Sequence, residues 1–460
     1  MQIPTQEILE FSIYILGIAA LAYPLLLLNS YLAPRLGLID WPKARGLNET
    51  QTPIIGHSIV LLSLAFFSVA KLFFPISGWF LSTAVIIAIM GMLDDRQPLP
   101  AIDKMFVQMI FVVCLVLFDP NLRQGISEQY GPGATFLAIF FILGLMNAVN
   151  FIDGIDGLAG LVLLIGGAGF LLIGHGQSGV EAFVWYIPVL IGSLIPFLYL
   201  NVIKRKGFLG NVGSYFFSFV LAYMHLSLPI KAHDPLSRMA ISGLFFLIPI
   251  SDAAMVLLSR MMSRRSPFQA DKGHLHHRLI QTSLPLRYIL ITFAIIDIAG
   301  LVTGYALVRS GTMSNSIFPI ITLITHVAVV GYMIVFIEKA SKCRVQSFFQ
   351  HLDLGNSLYF LKYKLSKVDG AMIPPYLMNR IAARMNAEIR VTDVCYIEEP
   401  DTLFIALKIQ TETLRNIALR LERVFNSEKI KVVLEIEKGE FIKLKNPVQP
   451  PYIKPLKQVS

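Results

Sequence analysis

Roughly eleven stretches of this chain are apolar over lengths close to those needed to cross about 30 Å of hydrocarbon. They centre on residues 8–30, 54–74, 78–93, 104–119, 134–149, 157–174, 182–203, 213–230, 238–258, 287–308 and 316–337. A soluble domain cannot bury that much apolar surface, and a chain of 460 residues that is 55% hydrophobic and 15% charged falls outside the soluble class. The sequence therefore predicts an α-helical polytopic membrane protein with about eleven transmembrane helices, ten if one run fails to cross. The first run has no basic flank before it and no small-residue cleavage site after it, so it is expected to stay as a span rather than leave as a signal peptide. Cys114, Cys343 and Cys395 show neither pairing nor metal-ligand spacing.

Charge sets the expected sidedness. About fourteen Lys and Arg fall in loops 31–53, 94–104, 204–211 and 259–287, against about four in the alternate loops, and the positive-inside rule makes the first set cytoplasmic. The N-terminus is then outside and the C-terminus in the cytoplasm. Residues 1–340 read as the membrane domain. From about 345 to 460 no apolar run of membrane length remains, and a small cytosolic α+β domain is expected there. In it "EIRVTDVCYI", "TLFIALKIQ" and "IKVVLEIEKG" read as strands, "ETLRNIALRLERVFN" as a helix, and "NPVQPPYIKPLK" as a proline-rich tail. No catalytic motif stands in it, and its cations suit a solvated or lipid-facing surface, not a nucleic-acid site.

The unusual polar residues gather on the expected cytoplasmic side in four groups. "GMLDDRQPLP" brings Asp94 and Asp95 to the end of a span, with Lys104 and Gln108 following; a solvated helix end would also explain it. In "NAVNFIDGIDGLAG" the residues Asn147, Asn150 and Asp153 recur every third position and share a helix side. Asp156 joins them only if the helix breaks, and Gly154 and Gly157 supply a break. A plain Asp-Gly turn is the competing reading. "KRKGFLGNVGS", preceded by Asn201, offers phosphate-pairing charge and free N–H donors at a helix start, although topological anchoring alone could explain the cations. "RRSPFQADKGHLHHRL" holds His274, His276 and His277 beside Arg278, suited to a diphosphate or to a transition metal.

That ordered set, "DDR" with Lys104, then "NAVNFIDGIDGLAG", "FLGNVGS" and "SPFQADKGHLHHRL", resembles the polyprenyl-phosphate N-acetylhexosamine-1-phosphate transferase superfamily over about residues 10 to 340. The "HLHH" form resembles its bacterial undecaprenyl-phosphate GlcNAc-1-phosphate branch, glycosyltransferase family 4, which starts O-antigen, enterobacterial common antigen and teichoic acid linkage units. The resemblance implies transfer of a sugar 1-phosphate from a UDP-N-acetyl sugar to undecaprenyl phosphate with release of UMP, at the plasma (inner) membrane of a bacterium. It implies Mg²⁺ as cofactor, with Mn²⁺ admitted in its place, membrane lipid around the chain, no nucleic-acid partner, and room for a homodimer. Two anionic phosphates must meet in such a reaction, so charge neutralisation and oxygen ligands are needed. By the resemblance Asp94, Asp95 and Asp156 are catalytic. Asp94, Asp153, Asp156 and Asn211 hold the metal. Lys104, Asn147, Asn150, Asp153, Phe208, His274, His276, His277 and Arg278 bind substrate, Phe208 by stacking on uracil.

Two departures stand out. The first cytoplasmic loop, "LIDWPKARGLNETQTPIIGH", keeps Asp40, Pro42 and Arg45 but has Gly46 and Asn48 where the family has lysine and histidine, and Gly56-His57 where it has a glycine pair. Asn211 stands where the family has an aspartate ligand; its amide oxygen can coordinate Mg²⁺ but brings no charge. Two other readings stay open: a degenerate relative that binds lipid phosphate or nucleotide without turnover, and a secondary transporter. Against the latter, the charges gather at one face and no related halves are visible.

Overall fold

The computed structural model describes residues 5–40, 52–73, 76–123, 126, 132–174, 186–227, 235–263, 274–280, 286–310, 317–350, 358–367, 394–399, 402–408, 430–441 and 453–455. Apolar runs become helices where backbone groups must be satisfied within the segment. Among the described residues those before 263 include α1 (Thr5–Leu32), α2 (Gly56–Ala70), α3 (Gly78–Arg96), α4 (Ala101–Phe118), α5 (Pro132–Ile152), α6 (Leu158–Gly174), α7 (Tyr186–Leu198), α8 (Gly210–Ser227), α9 (Pro235–Phe245) and α10 (Leu247–Met262). A π-helical turn, Tyr199–Ile203, extends α7, and a two-stranded pair, β1 (Ile39–Asp40) and β2 (Thr52–Pro53), lies between α1 and α2. Further on come the short α11 (Leu275–Ile280), then α12 (Leu286–Ser310) and α13 (Ile317–Gln350).

Among the described residues seven helices are long and apolar enough to cross a membrane, or eight if the bent pair α9 and α10 counts as one span. This is a multi-pass membrane protein. The runs do form helices, but α2 and α6 have 15 and 17 residues. The run at 238–258 breaks at Phe246, where α9 and α10 meet at 108°.

α8 is the centre of the helical unit. Every residue from Val212 to Leu226 is buried, and the helix packs against α2, α3, α5 and α6. A helix buried all round needs no amphipathic stripe, and its polar groups must find partners. Ser214 and Ser218 return their hydroxyls to carbonyls of the preceding turn. Both ends are capped by side chains of other helices, Asp95 of α3 at the N-terminus and Arg238 of α9 at Leu226 O, 2.6 Å away. Acid at the positive end and base at the negative end also complement the helix dipole.

The chain divides into two compact units. The first holds α1 to α10 and the portions of α12 and α13 from 290 to 331; the second holds α11 and the residues after 331. In the second, five strands form an antiparallel sheet in the order β4-β5-β3-β6-β7: β3 (Leu358–Lys367), β4 (Val394–Glu399), β5 (Thr402–Lys408), β6 (Ile430–Phe441) and β7 (Ile453–Pro455). Central β3 pairs Tyr363 with Leu403 on one side and Leu434 on the other. The three expected strands fall on β4, β5 and β6. β3 was not anticipated, and neither was β7, which lies in the proline-rich tail. The helix expected at 412–426 lies outside the described residues, and α13 runs through the expected boundary at 340–345 without interruption.

Candidate active site

Three segments meet at one end of the first unit: the C-terminal turn of α3, the end of α5 with the turn that follows, and the loop leading into α8. Glycines let them approach. A Cβ on Gly91 of α3 would stand 2.5 Å from the Val212 Cα, so only glycine admits α8 there. Gly210 has a φ of +77°, and a Cβ on it would lie 2.7 Å from the Asp95 carboxylate. With these close approaches Asp95 accepts the N–H of Asn211 at 2.7 Å and of Val212 at 3.1 Å, and His57 Nε2 stands 3.5 Å from the same carboxylate.

Asp94 faces elsewhere. It accepts the Leu99 N–H at 2.8 Å and the Lys104 ammonium at 3.0 Å, closing the connection between α3 and α4; its side chain is 1% exposed against 21% for Lys104. The adjacent aspartates therefore serve two neighbours, one α4 and the other α8.

The three-residue spacing in α5 places Asn147 and Asn150 one turn apart, toward different helices. Asn147 donates to Gln108 of α4 at 2.9 Å. Asn150 donates to Asn211 Oδ1 at 2.7 Å and to Ser214 at 2.9 Å, and accepts the Tyr215 hydroxyl at 3.0 Å. α5 ends at Ile152 and α6 starts at Leu158, with Asp153 and Asp156 half-buried in the turn between. Gly157, at φ +85°, closes that turn, and its N–H is accepted by Asn201 of the π-helical turn. Asn201 also donates to Gly207 O at 2.8 Å and to Asp156 at 3.4 Å, tying the acidic turn to the Phe208 loop. Phe208 is fixed through its backbone, which bonds Pro53 O and the Ile55 N–H at 2.9 Å each, while its ring stays half-buried.

His274 stands 2.6 Å through Nδ1 from Asp252 of α10, with the Phe151 ring 5.4 Å away. His276, His277 and Arg278 lie on α11 in the second unit, and the side chains of the two histidines fall outside the described residues. So do Pro42, Arg45, Gly46 and Asn48, and the side chain of Asp40.

Among the described residues no three His, Cys, Asp or Glu side chains gather to hold a metal ion. Asp94 is bonded to Lys104. Asp153 and Asp156, half-buried in one turn, offer carboxylate oxygens, the donor type that Mg²⁺ takes when one or two carboxylates are completed by substrate phosphates and water.

Residues 78–228 match the model of glycosyl transferase family 4. The match covers about a third of the chain and agrees with the superfamily that its motifs resemble. The family 4 region holds all three segments of the site, from α3 to α8. Over 279 residues the chain is 25% identical to the undecaprenyl-phosphate alpha-N-acetylglucosaminyl 1-phosphate transferase of Escherichia coli (strain K12), covering 57% of this chain and 75% of that protein. The Salmonella typhi protein of the same name is 26% identical over 286 residues, 58% of this chain and 76% of the relative. A probable undecaprenyl-phosphate N-acetylglucosaminyl 1-phosphate transferase of Bacillus subtilis (strain 168) is 25% identical over 311 residues, 65% and 85%.

Ser214, Tyr215 and Asp252 were not singled out as site residues from the sequence. A lone acid inside an apolar run, "LIPISDAAMV", was the available signal for Asp252.

Proposed function

We propose that this protein transfers an N-acetylhexosamine 1-phosphate from a UDP-sugar, UDP-GlcNAc or a close relative, to undecaprenyl phosphate at the cytoplasmic face of a bacterial plasma membrane. The products are an undecaprenyl-diphosphate-sugar and UMP, and the reaction opens a cell-surface polysaccharide pathway. The observation that carries this reading is the convergence on the N-terminus of α8. Asn150, Asn211 and Ser214 form one hydrogen-bonded group there, and the backbone around it is anchored by Asp95 and Asn201 beside two half-buried carboxylates. The relatives' names support the reaction class.

In the reaction an oxygen of the lipid phosphate attacks the β-phosphorus of the nucleotide sugar. A new P–O bond forms, the bond to the oxygen bridging the two phosphates breaks, and that oxygen leaves with UMP. The chemistry asks for charge neutralisation and alignment rather than a covalent protein intermediate. Asp153 and Asp156, with Asn211 Oδ1, would hold Mg²⁺, which supplies charge neutralisation at the diphosphate. The flat ring of Phe208 suits stacking on uracil. The Lys104 ammonium, partly exposed above Asp94, has hydrogens left for the lipid phosphate. Asp95 keeps α8 in place, so the amides of Asn150 and Asn211 face the substrate in fixed positions. His274, steadied by Asp252, offers Nε2 to a phosphate oxygen.

Purified protein incubated with undecaprenyl phosphate, Mg²⁺ and a panel of UDP-N-acetyl sugars is expected to release UMP. Asn211 favours one competing reading, a relative that binds these ligands without turnover, because its position brings no negative charge to a metal. Retained binding with no UMP from any sugar would establish that reading instead.

A further inference from the structure

Within hydrocarbon a break in a helix leaves backbone N–H groups that water cannot reach, so another side chain must satisfy them. The break between α9 and α10 is met from α12. Asp297, fully buried, accepts the Ile248 N–H at 2.9 Å in the first turn of α10. α12 can press against the break because Gly300 and Gly304 face it: a Cβ at Gly300 would overlap the Leu244 carbonyl, and one at Gly304 would stand 3.2 Å from the Phe245 ring. One helical turn after Ile248 comes Asp252, fully buried and bonded to His274. A serine or asparagine would cap the break without placing a carboxylate in an apolar interior.

We propose that Asp297 is a positioning residue for His274. By holding the first turn of α10 at the break, it sets where Asp252 stands, and Asp252 in turn holds the imidazole through Nδ1. The consequence for turnover rests on the transferase reading above; the geometry does not.

The test reads His274 directly, by the rate at which diethyl pyrocarbonate modifies it in full-length detergent-solubilised protein, located by peptide mass spectrometry. In the native protein one ring nitrogen is tied to Asp252 and the side chain is 13% exposed. Asp297→Ala is expected to raise the rate several-fold, to the level of Asp252→Asn, with no further rise in the double variant. Asp297→Asn retains an acceptor oxygen and is expected to keep the wild-type rate. A wild-type rate in Asp297→Ala, or additive effects in the double variant, would overturn the proposal. Should Asp297→Ala not elute as a monodisperse protein, Asp297→Glu, which moves the carboxylate by one methylene, is read in the same way. UMP release is the second readout: Asp297→Ala is expected to slow it in the wild-type background and not in His274→Gln, and an undiminished loss in His274→Gln would count against the relay. Absence of UMP from the wild-type protein would refute the transferase reading and leave the modification rates to decide this one.

Discussion

Asp95, at the end of α3, holds the backbone N–H of Asn211 at 2.7 Å across 116 positions of sequence. The carboxylate at the lip of one helix is thus the cap of another, and its two expected roles, chemical and architectural, can be separated by substitution.

Asp95→Asn keeps one acceptor oxygen and loses the charge. It is expected to lower turnover at least about a hundredfold, the lower end of general-base and electrostatic losses. Asp95→Ala also strands two part-buried N–H groups, at up to about 1–3 kcal/mol each, and is expected to lower the thermal midpoint well below that of Asp95→Asn. UMP release and a thermal melt on the same preparations separate the two; an Asp95→Asn protein turning over at the wild-type rate would leave the carboxylate as a cap alone.

Asp94 is buried against a partner it cannot spare. Lys104→Met removes the cation and leaves the carboxylate with only the Leu99 N–H, for which a loss of about 3–5 kcal/mol is typical of buried pairs, discounted here because Lys104 is partly solvated. The double variant Asp94→Leu with Lys104→Met is expected to melt higher than Lys104→Met alone. If the single and double variants melt together, the pair contributes little.

Asn211→Asp preserves the acceptor for Asn150 and adds a negative charge. It is expected to lower the Mg²⁺ concentration that gives half-maximal UMP release, since a carboxylate is the stronger oxygen ligand. An unchanged metal dependence would place the ion away from residue 211.

Gly91→Ala sets a methyl 2.5 Å from the Val212 Cα, and the resulting overpacking is expected to cost about 1–3 kcal/mol or more. Because the displacement pulls Asp95 from its N–H partners, turnover is expected to fall further than stability does. Full turnover at reduced stability would show that α8 can shift without disturbing the chemistry.

Cysteines placed in loops 94–104 and 259–287 are expected to resist a membrane-impermeant thiol reagent in intact cells. Labelling of either loop from outside would reverse the sidedness read from the basic residues.

The sequence was readable where local chemistry dictates local structure. Gly154 and Gly157 announced the break after α5, and the break is there, Gly157 in a conformation that favours glycine. The three-residue spacing placed Asn147 and Asn150 on neighbouring turns, but spacing cannot say which helix each will meet, and they meet α4 and α8. Neither did it show that Asp94 and Asp95, adjacent in the chain, would turn to different partners. The 108° bend was hidden inside one apolar run, although Gly243 and Pro249 bracket the place where it occurs. Apolar content reports burial in lipid or protein alike, so it could not show the bend inside the run at 238–258.

α8 depends on partners that lie on both sides of it in the chain. Asp95 is made before it, Arg238 after it, and between them stand polar groups that lipid would not tolerate uncovered. During synthesis α8 therefore cannot settle as an independent unit in the bilayer. It must wait in a protected environment until α9 has emerged, so a nascent chain halted before Arg238 should remain with the insertion machinery, and one extended past it should be released.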